Sequence, residues 1–255
     1  PEAQRLIDID KVLFNKNPKL AKIIPKFLVR LLKRIVHEDE LNDFLFRNRD
    51  MSGLNFVNAA LNEFGVITNV EGRENLPANG RFIIVSNHPL VGLDGLALMS
   101  EVGKVRPDLL FPVNDLLMNV PNLRDLFIPI NKHGSNMDNF KIFEDSFASN
   151  AAILYFPAGL CSRKQRRIIR DLEWQKSFIS LAKKYNRDII PVFIGGQNSQ
   201  FFYNLANLRK KLKIRANIEM LFLVDEMYKQ RDKKLRLFFG KPIAYSLFNK
   251  DLSDW

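Results

Sequence analysis

Histidine is the side chain best suited to moving a proton near neutral pH, and this sequence has three: His37, His88 and His133. His88 closes the segment Ile83-Ile84-Val85-Ser86-Asn87-His88-Pro89, and Asp94 follows it within about two helical turns. A carboxylate at that spacing reaches the imidazole if the backbone between them bends, and Gly92 can supply the bend. Such a pair fixes one tautomer of the ring and stabilises its protonated form, as in the logic of a Ser-His-Asp triad. No serine, cysteine or lysine nucleophile is placed by motif beside His88. The same residues also fit a plainer arrangement, in which the histidine caps a strand-to-helix turn and Asp94 is solvated.

The elements that must position the pair are legible from pattern. The β-branched run before Ser86, bounded by turn residues, predicts a buried strand that ends at His88. Pro89 suits a turn or the first turn of a helix. Further strands are predicted over residues 66–70, 109–113, 126–130, 152–156, 188–195 and 235–239. Helices are predicted over 92–102, 135–147, 174–185, 200–212 and 218–228, and Asp115 is read as the cap of a short helix. Strands alternating with helices imply an α/β fold with a mostly parallel sheet flanked by helices.

Ahead of residue 66 the pattern is helical. After Pro25, Phe27, Leu28, Leu31, Leu32 and Ile35 fall on one face, with Lys26, Arg30, Lys33 and Arg34 on the flank and opposite side. That is the composition of a helix lying on an anionic membrane surface. It equally describes a helix packed on its own domain with its charges in water. Ser52 is placed to cap a helix whose stripe, Phe56, Val57, Ala60, Leu61 and Phe64, reads as core, with Gly65 as its stop. Two parts are therefore expected: an amphipathic helical extension over residues 1–65 and a catalytic domain over residues 66–255.

Composition narrows the function classes. At 255 residues and 46% hydrophobic, the chain buries one substantial core. A net charge of +11 favours polyanionic partners: nucleic acid, an anionic membrane, or an anionic carrier or substrate. One cysteine excludes an internal disulfide and a cysteine-rich zinc site, and three histidines make a polyhistidine metal site improbable. No apolar stretch approaches the ~20 residues needed to cross a bilayer, and no signal peptide is visible. The chain starts at Pro1, and Ser253 near its end reads as the cap of a helix that is not there, so trimming at both ends is expected.

Four motifs, in order, carry a resemblance. Asn87-His88 with the following Asp94 resembles the first motif of the glycerolipid and lysophospholipid acyltransferases, whose usual spacing of four residues is five here. Phe127-Ile128-Pro129-Ile130-Asn131-Lys132 resembles the second block, with Lys132 where arginine is usual. Tyr155-Phe156-Pro157-Ala158-Gly159-Leu160-Cys161-Ser162-Arg163 resembles the third, Phe-Pro-Glu-Gly-Thr-Arg-Ser-Arg. Phe156, Pro157, Gly159, Ser162 and Arg163 match it, while Ala158, Leu160 and Cys161 replace glutamate, threonine and arginine. Ile189-Ile190-Pro191-Val192-Phe193-Ile194 resembles the fourth block, and its proline points to a sheet edge or an interrupted ladder. The Asn-His-Pro variant is similar to a bacterial branch of the family. Arg163, Lys164, Arg166, Arg167 and Arg170 then form a charge run. It suits an anionic head group or a carrier's phosphopantetheine arm, although such runs are more often a solvated surface helix.

The resemblance implies a glycerolipid-acyltransferase-like fold and transfer of a fatty acyl chain from an acyl carrier protein or coenzyme A thioester to a lyso-lipid hydroxyl. His88 would be the general base and Asp94 its partner. Asn87, Lys132, Phe156, Pro157, Gly159, Ser162 and Arg163 would contact substrate, and backbone N–H groups near the Phe-Pro-Ala-Gly turn, which sequence does not single out, would bind the oxyanion. No metal and no cofactor beyond the thioester co-substrate is expected. The expected partners are the thioester carrier, the lyso-lipid and an anionic membrane surface, and the expected place is peripheral, on the cytoplasmic face of the cell membrane. The altered third block opens an alternative acceptor, an amino-acid-containing lyso-lipid without phosphate. Two rivals differ in class. One is a non-catalytic basic module for membrane or nucleic acid, although no nucleic-acid recognition motif is present. The other is a thioester hydrolase using Cys161 or Ser86.

Overall fold

In the computed structural model, residues 5–114, 117–130, 137–214 and 216–248 are described. Lys132, His133, Asp115 and Ser253 lie outside the described residues. In chain order, helices α1 Ile9–Lys16, α2 Pro18–Ile23, α3 Lys26–Ile35, α4 Glu38–Arg47 and α5 Gly53–Glu63 precede strand β1, Ile67–Glu71. Then follow β2 Phe82–Ser86, α6 Leu93–Gly103, β3 Phe111–Val113, β4 Phe127–Pro129, α7 Met137–Ala148 and β5 Ile153–Tyr155. A hairpin, β6 Arg163–Gln165 and β7 Ile168–Arg170, leads to α8 Ser177–Tyr185, β8 Asp188–Ile194, α9 Gln200–Lys211, α10 Leu223–Tyr228 and β9 Lys234–Phe239.

The main sheet has the order β1-β9-β8-β2-β5. β2 pairs in parallel with β8 and with β5, and β1 pairs in parallel with β9; only β8 and β9 are antiparallel. Leu110 bridges Ile153 in parallel and β3 pairs with β4 in parallel, so the layer continues outward past β5. The fold is therefore α/β, with a mostly parallel sheet flanked by helices. All five residues of β2 are buried, as a strand covered on both faces requires.

The α5 stripe packs as the sequence predicts. Phe56, Val57, Ala60, Leu61 and Phe64 are buried in one cluster with α6 and the sheet. Each of the larger side chains contributes roughly 1.5–3 kcal/mol by leaving water, so this helix is held to the sheet by its apolar face. Glu101 of α6 binds Thr68 of β1, Arg73 and Lys104. Burial pushes its carboxyl up, but these partners outweigh burial and hold it below the usual range.

One local expectation fails and one is met in its second form. The charge run after Cys161 is a β-hairpin, not a surface helix: Arg163 pairs with Arg170 and Gln165 with Ile168, and Arg166 turns the chain at φ 59°. Pro191 takes the second of its two expected places: it stands in an interior strand, at an interruption of the ladder. Its carbonyl accepts from Gly240 N–H at 2.8 Å, and the β8–β9 ladder begins only at Val192. The missing proline N–H therefore falls one residue outside that ladder.

Candidate active site

Three parallel strands, β5, β2 and β8, end side by side. From β2 the chain reaches β5 on one flank and β8 on the other, so β2 is a topological switch point, where α/β sheets open a crevice beyond their carboxyl ends. His88 stands two residues past the end of β2. Asn87 between them is clamped to the neighbouring strand end. Its amide donates to the Ile194 carbonyl at 2.8 Å, and its carbonyl accepts from Ile194 N–H at 2.7 Å.

His88 Nδ1 lies 2.7 Å from Asp94 Oδ2. The Asp94 carboxylate is fully buried in the first turn of α6. Oδ2 also accepts from Leu90 N–H at 2.8 Å, and Oδ1 accepts from Gly95 N–H at 2.9 Å. A helix N-terminus favours negative charge there, and two backbone donors leave the carboxylate no freedom to turn. The longer spacing is absorbed before α6 begins, and the contact closes regardless. With Nδ1 so engaged, the proton on that nitrogen faces the carboxylate, and Nε2 has no hydrogen-bond partner among the described residues. The ring lies flat on Phe156, centroids 4.5 Å apart and planes 7° apart, and Phe111 meets Phe156 edge-on at 5.3 Å.

The segment after β5 builds the other wall. Phe156 accepts from Gly159 N–H at 3.0 Å, with Gly159 at φ 64°, a conformation that favours glycine. Ser162 N–H donates to the His88 carbonyl at 2.7 Å. Ser162 Oγ donates to Asp171 Oδ1 at 2.5 Å, and both oxygens of Asp171 lie 3.2 Å from His88 N. Trp174 Nε1 donates to Asp171 Oδ2 at 2.9 Å. Asp171 thus ties the hairpin exit to the histidine turn. Asn198 does the same from the β8 side, donating to the Pro89 carbonyl at 3.2 Å. A cavity of about 230 Å³ opens beside this turn, lined by Leu90, Leu93, Gly196, Gln197, Gln230, Lys233 and Lys234 among others.

Several expected contacts take a different form. Asn87 spends its carbonyl and one amide hydrogen on Ile194, and Ser162 spends its hydroxyl on Asp171. Phe156 touches His88 itself, Pro157 is buried, and Gly159 is exposed at the turn. The assignment of Arg163 to an anionic head group is corrected. Its side chain is buried, Nη1 donates to the Cys161 carbonyl at 2.7 Å and lies 2.8 Å from Cys161 Sγ, and Nη2 lies 3.5 Å from the fully buried Glu219. The expected oxyanion donors at the turn are also partly spent, since Gly159 and Ser162 N–H groups already have acceptors. Neither rival nucleophile is poised. Burial raises the Cys161 thiol, with Arg163 opposing, and buried Ser86 donates to the adjacent Asn87 carbonyl. Sequence reasoning missed Asp171, Asn198 and Glu219. None of the three has a spacing or motif that marks it in the sequence.

The acyltransferase family profile matches residues 11–251. Two relatives named lyso-glycine lipid O-acyltransferase, from Bacteroides thetaiotaomicron and Phocaeicola vulgatus, are each 49% identical over 247 residues. The match covers 96% of this chain and 91% and 88% of theirs. A crystal structure of the 1-acyl-sn-glycerophosphate (LPA) acyltransferase from Thermotoga maritima aligns over 89% of both chains at 19% identity with a TM-score of 0.47. The profile over nearly the whole chain and the two relatives at 49% identity show that this protein belongs to the acyltransferase family.

Proposed function

We propose that this protein is an O-acyltransferase that moves a fatty acyl group from an acyl carrier protein or coenzyme A thioester to the hydroxyl of a glycine-containing lyso-lipid. The observation that carries the chemistry is the 2.7 Å contact of His88 Nδ1 with Asp94, which leaves Nε2 without a protein partner among the described residues. Nε2 takes the proton of the acceptor hydroxyl as that oxygen attacks the thioester carbonyl. Asp94 stabilises the imidazolium that forms. The tetrahedral intermediate collapses with loss of the C–S bond, and the departing thiolate receives the proton back from Nε2. The enzyme itself carries no acyl group in this scheme, in keeping with the burial of Cys161 and Ser86.

The acceptor is inferred from two observations. Both relatives at 49% identity are named for a lyso-glycine lipid. In addition, the third block offers no outward charge for a phosphate: Ala158 is uncharged and Arg163 is turned inward. A glycine head joined through its nitrogen presents a carboxylate, and Lys233 and Lys234 in the neighbouring cavity have no carboxylate partner among the described residues. The same reading places the protein on the cytoplasmic face of the cell membrane. Phe27, Leu28 and Leu31 of α3 are exposed and no residue of α3 is buried, with Lys26, Arg30 and Arg34 exposed on the same helix. Among the described residues no helix is long and apolar enough to cross a membrane, so α3 would lie in the interface.

Thiol release from long-chain acyl carrier protein and acyl-coenzyme A, measured with a glycine lyso-lipid, with lysophosphatidic acid and without acceptor, tests this directly. The expected result is release that depends on the glycine lyso-lipid, with the diacyl product seen by mass spectrometry. Release equal with and without lipid would overturn the transferase reading, and preference for lysophosphatidic acid would overturn the acceptor. In the same assay Cys161→Ala is expected to retain activity within a few-fold, whereas a cysteine hydrolase would lose it.

A further inference from the structure

Helix α9 carries an apolar stripe that the fold does not use. Phe201, Leu208 and Leu212 are 50%, 51% and 60% exposed. At 3.6 residues per turn they fall, with half-buried Leu205, within about 60° of one another. Phe202, Tyr203 and Ala206, which are buried, occupy the other side of the helix. The patch does not stop at the helix end. Ile214 is exposed and is tied back to α9 through Arg209, and Leu221 is exposed on the turn Ile218–Phe222 that packs against α9. Phe222 of that turn meets Phe201 edge-on at 4.9 Å. Lys211 and Lys213 are exposed beside the C-terminal end of the stripe, and Lys229 lies 5.6 Å over the Phe201 ring.

We infer that this surface is a second membrane contact, which seats on an anionic bilayer with Phe201, Leu208, Leu212 and Leu221 in the interface and the lysines at the level of the lipid phosphates. The inference rests on the membrane reading of α3 given above. Charge decides between occupants. A stripe of large apolar side chains rimmed by lysines matches an anionic lipid surface, where each basic residue adds to binding. A second copy of this chain, at +11, would bring like charge to the same rim.

The two contacts share one frame. His37, at the junction of α3 and α4, stacks on Tyr228 of α10 at 4.3 Å, and its Nε2 lies 3.4 Å from Asp225 of α10. α10 continues directly from the turn that bears Leu221. A single amphipathic helix leaves a protein free to roll about that helix axis, and a second contact removes this freedom. The α9 surface is also fastened to the catalytic turn. Glu219, on the same turn as Leu221, is fully buried between Arg209 of α9 at 2.8 Å and Arg163 at 3.5 Å. Arg163 holds the Cys161 carbonyl, and the next residue, Ser162, donates to His88. The orientation that α9 takes on the bilayer is therefore passed to His88 through a short chain of buried ionic and hydrogen bonds.

The test uses the full chain and flotation with phosphatidylcholine vesicles, with and without phosphatidylglycerol. Leu208→Ser/Leu212→Ser alters only exposed side chains, and Leu28→Ser/Leu31→Ser is the α3 counterpart; unchanged thermal melting verifies both. The α9 pair is expected to weaken binding to the anionic vesicles by about tenfold. Turnover of a bilayer-embedded acceptor should fall with it, while turnover of a detergent-dispersed acceptor stays unchanged. If only the α3 pair weakens binding, the α9 contact is overturned and the membrane reading stands. If neither pair does, both fall. If wild type forms dimers without vesicles and the α9 pair is monomeric by light scattering, the face belongs to a second copy and the inference is overturned.

Discussion

Replacement of His88 by alanine is expected to lower the turnover number for acyl transfer by at least about a thousandfold, with little change in thermal stability. The size follows from the work assigned to one ring. General-base assistance contributes roughly 10²–10⁴-fold, and the same Nε2 returns the proton to the leaving thiolate, so both halves of the reaction lose their proton carrier. The small stability effect follows from position. The ring lies beyond the end of β2, and among the described residues its hydrogen-bond and ring-stacking partners are Asp94 and the face of Phe156. His88→Gln separates chemistry from packing, because glutamine keeps a polar side chain at the turn but cannot carry the proton. Single-turnover kinetics with a saturating acyl thioester give the measurement. A variant that keeps a tenth of the wild-type rate would remove His88 from the mechanism.

Asp94→Asn is the second large effect, about 10²–10⁴-fold in turnover, by analogy with the tautomer loss known for triad carboxylates. Three donors converge on the carboxylate: the histidine ring, Leu90 N–H and Gly95 N–H. An asparagine offers one acceptor oxygen in their place. If that oxygen faces Gly95, the amide hydrogens face Leu90 and the ring; Nδ1 must accept, the proton moves to Nε2, and the base is blocked. If it faces the ring, the amide opposes Gly95 N–H, and a buried donor loses its acceptor at a cost of about 1–3 kcal/mol. The variant therefore loses either its chemistry or part of its stability. Reading thermal melting and kcat together distinguishes the two branches, and a variant unaffected in both would remove Asp94 from the dyad.

The parts that sequence revealed were those written in period and in order. The β2 run ends at a turn signal, so the place of His88 could be read directly. The α5 stripe has a helical period and packs as read. Arg163–Arg170 has charge but no alternation that marks strands, so a hairpin closed by ladder pairs was invisible. Arg163 resembles a motif arginine, yet its direction depends on Glu219, far along the chain and buried only after α9 and its following turn have folded over it. Asp171 is hidden for the same reason: its role exists only once the hairpin has returned the chain to His88. The membrane-like composition of α3 was legible. For α9 the sequence predicts only a helix, because an apolar face looks the same in sequence whether it is covered or bare.

The clamp of Asn87 on Ile194 is, in effect, a forged peptide group. Past the last residue of β2 the chain leaves the sheet, yet β8 still finds one donor and one acceptor where the next residue of a neighbour would offer them. Aspartate lacks the donor, leucine lacks both groups, and glutamine is a methylene too long. The substitute lets the backbone turn away toward His88 without fraying the strand it abandons. The histidine thereby inherits the rigidity of the sheet while standing outside it, and one side-chain amide sets the boundary between scaffold and reactive loop.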